Sequence, residues 1–170
     1  MRRWSLEVGA ADEEVDAGRH RGGVGGLLRL DGERCVSWGQ DGEVRIRSER
    51  DGGVEAVLSG HTGPVKGVLE LDGDLLSWAE DGLVLRWDAE TGEVRARFEG
   101  HEGSVEGLHV LGDDRLLSWS ADKTLRLWSA AGGEPLQVFE GHHRKVLGAL
   151  PMEDGALLSW SHDGTVRRWS

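Results

Sequence analysis

The sequence predicts an all-β chain built from four copies of one four-stranded unit. The segment Leu-Leu-Ser-Trp occurs three times, ending at Trp78, Trp119 and Trp160, and the related Cys-Val-Ser-Trp ends at Trp38. These tryptophans are 40, 41 and 41 residues apart, and a fixed period of this size indicates a copied supersecondary unit. Short apolar runs alternate with turn residues, and no segment keeps apolar residues at helical spacing long enough to predict a helix.

The second copy shows the four predicted strands of a unit most clearly. They cover residues 65–71, 75–78, 84–87 and 94–98. Turn residues separate them, at Asp72-Gly73, Asp81-Gly82 and Thr91-Gly92. Asp-Gly between apolar runs favours a tight hairpin, because glycine adopts the left-handed backbone of such a turn without steric cost. Each copy is therefore predicted to be one antiparallel sheet.

Radial repetition of four-stranded sheets with this period is typical of a β-propeller, in which each sheet is one blade. The predicted division of the chain follows the period. Residues 1–19 contain one strand of a split blade, and the repeats cover residues 20–60, 61–100, 101–141 and 142–170. The last repeat is predicted to lack its outer strand.

Two recurring dipeptides carry a family resemblance. Gly-His occurs at Gly60-His61, Gly100-His101 and Gly141-His142, with Arg19-His20 as a degenerate copy. A tryptophan that closes the third strand occurs at Trp87-Asp88, Trp128-Ser129 and Trp169-Ser170. With these motifs the chain resembles the WD-repeat β-propellers over essentially its whole length.

Histidine, serine, aspartate and tryptophan stand at matching places in the repeats. They are His20, Ser37, Asp41, His61, Ser77, Asp81, Trp87, His101, Ser118, Asp122, Trp128, His142, Ser159, Asp163 and Trp169. A nucleophilic serine needs an exposed position beside an oxyanion site, whereas these serines fall inside strands of a sheet covered on both faces. The resemblance implies a structural hydrogen-bond relay at these positions. We therefore expect no enzymatic activity, no catalytic residue and no cofactor.

Two departures from the family pattern concern bulky side chains. In the first repeat Arg47 replaces the relay tryptophan, and we expect it either to pair with Asp41 or to swing outward, which makes this blade the least stable. In all repeats a tryptophan stands where the family usually has a small residue, at Trp38, Trp78, Trp119 and Trp160. We expect these four to form a packing layer between blades, with an aromatic binding surface as the alternative.

The two ends of the chain predict how the blades are completed. Residues 1–5 repeat residues 166–170 with little change, so the copies are cut between strands three and four. We expect residues from about 5 to 18 to be an outer strand, and Trp169 rather than Trp4 to occupy a relay. Four blades of a seven- or eight-bladed family span about half a circle, so we expect a two-fold homodimer forming an eight-bladed ring. A closed four-bladed monomer and a window cut from a longer array are the alternatives.

Composition excludes several classes of partner and site. The formal net charge of −11 argues against nucleic acid and anionic membranes as partners. No run is apolar enough to span a bilayer and no secretory signal is recognisable, so a cytoplasmic protein is expected. The single Cys35 lies in an apolar strand pattern and is predicted to be a small core residue.

The predicted function is a non-enzymatic scaffold for protein–protein interaction, by fold-level analogy. The predicted rim contacts flank the relay histidines and aspartates. They are Arg21, Gln40, Thr62, Glu80, Glu102, Ala121, His143, Arg144, Lys145 and His162. We expect no metal site, because a metal at the last repeat would take His142 from its relay. The alternatives are a propeller that binds a sugar or another small ligand in its channel, and a repeat-derived or engineered fragment with no selected ligand.

Overall fold

The described part of the chain is all-β. The computed structural model describes residues 18–112 and 114–170, and these residues form fifteen β-strands and no helix. This confirms the predicted fold class. No described helix is long and apolar enough to cross a membrane. The outer strand predicted for residues 5–18 lies, apart from Gly18, outside the described residues, as does Trp4.

The strands form four antiparallel sheets, each with its strands in chain order, which we call blades 1 to 4. Blade 1 consists of β1 (Val24–Arg29), β2 (Arg34–Gly39), β3 (Glu43–Ser48) and β4 (Val54–Ser59). Blade 2 consists of β5 (Val65–Leu71), β6 (Asp74–Ala79), β7 (Val84–Asp88) and β8 (Val94–Phe98). Blade 3 consists of β9 (Val105–Leu111), β10 (Arg115–Ser120), β11 (Leu125–Ser129) and β12 (Gln137–Phe139). Blade 4 has three strands, β13 (Val146–Pro151), β14 (Leu157–Ser161) and β15 (Val166–Trp169).

The hairpin between the second and third strands of a blade depends on a left-handed residue after the relay aspartate. Gly42, Gly82 and Gly164 have φ angles of 77°, 83° and 81° at this position. In blade 3 the position is held by Lys123, with a φ of 79°. Glycine adopts this conformation without the Cβ clash that other residues meet, so lysine is the strained variant of the turn.

The hydrophobic core lies between blades. In residues 18–112 and 114–170, three clusters of buried side chains form, one at each contact between successive blades. We call the face of a blade that meets the next blade its forward face, which in blade 2 includes Leu76, Val84 and Phe98. The opposite, rear face of blade 2 includes Leu75 and Leu85, which pack against blade 1. Stability therefore comes from blade-on-blade packing, because a single blade has no interior of its own.

The four extra tryptophans lie on glycines of the neighbouring inner strand. Each pairs across the sheet with a glycine, in the pairs Gly26–Trp38, Gly67–Trp78, Gly107–Trp119 and Gly148–Trp160. A Cβ added to the glycine would come within 2.0–2.2 Å of the indole Cζ2 in all four pairs. Trp38, Trp78 and Trp119 then pack against the clusters between blades, whereas Trp160 of blade 4 is 42% exposed.

Candidate functional site

A hydrogen-bond relay connects the four matching side chains in blades 2, 3 and 4. The histidine Nδ1 lies 2.7–3.2 Å from the aspartate carboxylate, and its Nε2 lies 2.8 Å from the serine Oγ. The indole Nε1–H of the tryptophan donates to the same Oγ at 2.8 Å in every one of these blades. Each relay joins the loop that enters the blade to its second and third strands and to the turn between them.

Burial of the serine, together with the indole bond to its Oγ, explains why this Ser-His-Asp arrangement is structural. An ionised aspartate only accepts, so Nδ1 carries the histidine proton and Nε2 accepts from the serine hydroxyl. The serine Oγ in turn accepts from the indole. Ser77, Ser118 and Ser159 are 0% exposed, so no substrate reaches their Oγ atoms. The buried polar groups satisfy one another, which is what a network of this kind needs to stabilise a fold.

Blade 1 keeps its relay with arginine in place of tryptophan. Arg47 Nε donates to Ser37 Oγ at 2.8 Å, the distance of the indole bond in the other blades. The expectation that Arg47 pairs with Asp41 or swings outward is therefore wrong. The carboxylate of Asp41 binds Arg45 instead, at 3.0 Å, and His20 Nδ1 at 2.8 Å. Arginine fits because the position requires a donor, and a guanidinium has five N–H donors.

The relay aspartates accept more hydrogen bonds than the motif alone predicts. The backbone N–H after each relay histidine donates to the carboxylate, at 2.8–3.1 Å in the four blades. In blades 3 and 4 the hydroxyls of Thr124 and Thr165 donate as well, at 2.7 and 2.6 Å. The motif analysis missed these threonines, and Arg45 in blade 1. In the sequence, the threonines could have been recognised by their position two residues after the relay aspartate in both blades where the hydroxyl bond forms.

These bonds move the pKa values of the relay groups. Burial raises the pKa of Asp122, but hydrogen bonds from His101 and Thr124 outweigh it and hold the pKa well below its usual value of 3.8. The hydroxyl of Thr165 is the largest of the effects that lower the pKa of Asp163. Burial lowers the pKa of His61 below 6.5, against the opposing effect of Asp81. All three groups bind protons less readily in the folded chain than in the unfolded chain.

Acid should therefore destabilise the fold in two stages. A folded pKa below the unfolded value gives stability that is complete above the unfolded pKa and is lost as the pH falls. We expect a shallow loss below pH 6.5, from His61, and a steeper loss below pH 3.8, from the aspartates. Urea denaturation at about pH 7.5, 5.5 and 3.5 measures this loss of stability. Equal urea midpoints at all three pH values would contradict the predicted acid dependence.

The predicted rim contacts lie at one end of the blades, where the loops before the first strands meet the hairpins that hold the relay aspartates. We call this end the rim. The residue before each relay aspartate donates its backbone N–H to the entering loop, at 2.8–3.1 Å in all four blades. Most of the side chains flanking the relay are exposed, and Ala121 and Lys145 are half-buried. They are Arg21, Gln40, Thr62, Glu80, Glu102, Ala121, His143, Arg144, Lys145 and His162.

The rim of blade 4 brings together titratable and cationic side chains. The backbone N–H of His162 donates to the carbonyl of Lys145 at 3.0 Å, and Ser161 Oγ donates to the carbonyl of Arg144 at 2.9 Å. The side chains of His143, Arg144 and His162 are exposed beside this junction. In the described ranges no group of three or more His, Cys, Asp or Glu side chains is placed to hold a metal ion.

Successive antiparallel sheets, packed face to face and each held by the same relay, define a chain of β-propeller blades. The sequence model of the WD40 family, described as WD domain, G-beta repeat, matches residues 92–129 and 133–170. The last two of the four repeats thus match the WD-repeat family that the motifs predicted, and the first two repeat the same fold. A comparison with the curated proteins gave no match.

Similar solved structures include natural and designed propellers. The WD40 β-propeller domain of Doa1 aligns with a TM-score of 0.77 and 25% identity, over 91% of this chain and 53% of that domain. The computationally designed Ika4 protein aligns with a TM-score of 0.77 and 26% identity, over 94% of this chain and 98% of Ika4. The designed Ika8 protein aligns with a TM-score of 0.76 and 27% identity, over 88% of this chain and 46% of Ika8. The chain thus spans about half the length of the Doa1 domain and of Ika8.

Proposed function

We propose that the chain is a non-enzymatic interaction scaffold that pairs with a second copy to form an eight-bladed ring. In this ring the forward face of blade 4 meets the rear face of blade 1 of the other copy, a contact we call the junction. Two junctions related by a two-fold axis close the ring, and each chain contributes both halves of the contact. The main observation in support of this proposal is that these two faces are exposed to solvent in the described residues.

The forward face of blade 4 has the composition of an interior surface. Val166 is 69% exposed, whereas Val44, Val84 and Leu125 at the same position of blades 1 to 3 are 0%, 1% and 0% exposed. Leu150 and Trp160 on the same face are 51% and 42% exposed. An apolar patch of this kind on a soluble chain marks a binding surface.

The rear face of blade 1 is uncovered in the same way. Leu27 is 65% exposed, whereas Val68 and Leu108 at the same position are 7% and 6% exposed. Val24, on the same strand and face, is 64% exposed. A second copy fits because these two faces are the two halves of a contact that the chain already makes between its own blades.

Among the described residues, the hairpin turn of blade 4 also has no neighbour. A Cβ added to Gly42 or Gly82 would lie 2.8 or 2.6 Å from the carbonyl oxygen of the relay histidine in the next blade. The same atom on Gly164 would meet nothing within 4 Å. Continuing the repeat places His20 of a second copy at this turn. The near-complete match to Ika4 and the half-length match to Ika8 and the Doa1 domain support a half-ring unit.

The rim of the ring is the surface we assign to other proteins. The rim of blade 4 brings the exposed Arg144 together with the titratable side chains of His143 and His162 in a chain of net charge −11, which favours an acidic partner peptide. The double variant His143→Glu, His162→Glu should no longer bind such a partner. The similarity to two computationally designed propellers favours, as a second candidate, a repeat-derived assembly without a selected ligand.

Two single substitutions should separate the chains and their mixture should rejoin them. Val166→Lys and Leu27→Glu each place a charge in both junctions of a homodimer, so each variant alone should be monomeric at micromolar concentration. A mixed pair has one Lys–Glu junction and one native junction, so mixing should restore a heterodimer. Sedimentation velocity of each variant and of the mixture measures this.

The matched control is Leu136→Glu, which changes a leucine that is 58% exposed in blade 3, away from both end faces. It should keep the mass of the parent chain. A Val166→Lys chain that keeps the mass of a parent dimer would overturn the proposed junction. Failure of the mixture to form a heterodimer would overturn the pairing of blade 4 with blade 1.

A further inference from the structure

An apolar cavity lies between blades 3 and 4, at the end of the blades opposite the rim. Its volume is about 340 Å³. The side chains that line it include Leu127, Phe139, Met152, Leu157 and Trp169. Among the described residues that line it, Arg115 carries the only charged side chain. Both walls of the cavity belong to one chain, so the cavity does not depend on the proposed ring.

The corresponding space between blades 2 and 3 is smaller and polar. Its volume is about 190 Å³, and charged side chains from both blades line it. Arg86 occupies this space, because its Nε donates to Asp74 at 2.6 Å and its Nη1 donates to the carbonyl of Ala130 across the contact at 3.1 Å. A guanidinium therefore fills at this contact the place that is apolar and open at the next one.

Two sequence differences account for the apolar character of the larger cavity. Leu127 of β11 has the same register against β10 as Arg86 of β7 has against β6. A leucine side chain is shorter than arginine and has no donor to bind a carbonyl of the next blade. In addition, Arg115 begins β10 where Asp74 begins β6, so the acidic partner of that guanidinium is replaced as well.

The cavity opens onto a pair of aromatic rings. The ring centroids of Phe139 and Trp169 are 5.7 Å apart at an interplanar angle of 61°, close to the 5.8 Å and 77° of Phe98 and Trp128 at the preceding contact. Phe98 and Trp128 are each 1% exposed, whereas Phe139 and Trp169 are half-buried and line the cavity. Aromatic rings pack favourably edge to face or offset, so this pair can accept a third ring.

The volume and the lining define the class of ligand. An apolar cavity of about 150 Å³ is large enough to bind benzene, so the present cavity has room for two fused rings. Small-molecule sites of proteins are typically apolar and aromatic with few polar groups, as this lining is. Burying a charged ligand here would be unfavourable, because Arg115 is exposed to solvent. We propose that this cavity binds an uncharged, planar aromatic molecule of one or two fused rings, packed against Phe139 and Trp169.

The methyl group of Met152 reports binding at this cavity. The chain has two methionines, Met1 and Met152, so a chain labelled with ¹³C at the methionine methyl gives two signals, and Met152→Leu assigns them. Titration with 2-naphthol should shift the Met152 signal saturably, with a dissociation constant of about 0.1 mM, as expected for a ligand of this size. Its saturated analogue decahydro-2-naphthol should bind about tenfold more weakly, because it lacks the aromatic contacts.

Substitutions at the lining test the location. Leu127→Arg introduces the guanidinium that fills the corresponding space between blades 2 and 3, and it should weaken binding of 2-naphthol about tenfold or more. Phe139→Leu keeps the lining apolar but removes one ring, and it should weaken binding about fivefold. Leu136→Arg is the matched control, since it makes the same change in blade 3 at a leucine that is 58% exposed and does not line the cavity. It should leave the dissociation constant unchanged.

Three results would contradict the proposed site. No saturable shift of the Met152 methyl signal up to about 1 mM 2-naphthol would overturn the site itself. An unchanged dissociation constant in both Leu127→Arg and Phe139→Leu, with circular dichroism showing folded chains, would overturn its location. Equal affinity for decahydro-2-naphthol would overturn the aromatic class of the ligand.

Discussion

Replacing Gly107 by alanine should lower the free energy of unfolding by about 3 kcal/mol, at the upper end of the usual cost of overpacking a core. The added Cβ would lie 2.1 Å from Cζ2 of Trp119 and 2.5 Å from its Cε2, which is closer than atoms can approach. The indole must therefore rotate. It packs against the cluster between blades 3 and 4 and lies 5.4 Å from the ring of His109, so rotation disturbs that contact as well.

Gly112→Ala is the matched control for this substitution. Gly112 follows β9 in the same blade, has no left-handed φ, and an added Cβ would meet nothing within 4 Å. Its replacement should leave stability unchanged or raise it slightly, because alanine has less backbone freedom in the unfolded chain. Urea denaturation of both variants measures the difference. Equal stabilities of the two variants would mean that the packing of Trp119 does not require a glycine at position 107.

Removing a relay carboxylate should lower the free energy of unfolding further still. Asp122→Ala should lower the free energy of unfolding by about 4 kcal/mol, because four donors, three of them in part-buried hydrogen bonds, lose their acceptor together. These donors are His101 Nδ1, the backbone N–H of Glu102 and both the hydroxyl and the N–H of Thr124. The variant should also lose part of the steep acid dependence below pH 3.8, since the substitution removes a group with a lowered pKa.

Asp154→Ala is the control for the relay. Asp154 also accepts from a backbone N–H and from an arginine, but its side chain is 59% exposed, so water replaces the lost partners. Its replacement should lower the free energy of unfolding far less than Asp122→Ala does. A similar loss for both variants would show that the relay contributes no more than a surface turn.

The sequence predicted the blades because their turns and strands are encoded locally. Asp-Gly turns mark where the hairpins fall, and the copies repeat the same alternation of apolar and polar positions, so this alternation alone places Ser77 and Ser118 in equivalent strands. The histidine, serine and aspartate of each relay could be grouped for the same reason. Because the unit is repeated, an assignment made in one copy can be compared with the same positions in the other copies.

Two features depended on contacts that composition does not reveal. Arg47 was judged by its charge, whereas its position requires only an N–H donor for Ser37, which arginine supplies as tryptophan does. The pairing of each extra tryptophan with a glycine was also missed, although Gly67 and Trp78 recur at a nearly constant separation in all four copies. Cross-strand register was needed to see that the missing Cβ makes room for the indole.

The mass of the chain in solution tests the central claim most directly. In the described part of the chain, two open end faces and a three-stranded last blade predict a two-fold dimer, so sedimentation velocity at micromolar concentration should give twice the 18.6 kDa of one chain. A single species of 18.6 kDa, unchanged up to about tens of micromolar, would contradict the ring, since an interface of apolar blade faces should assemble well below that concentration.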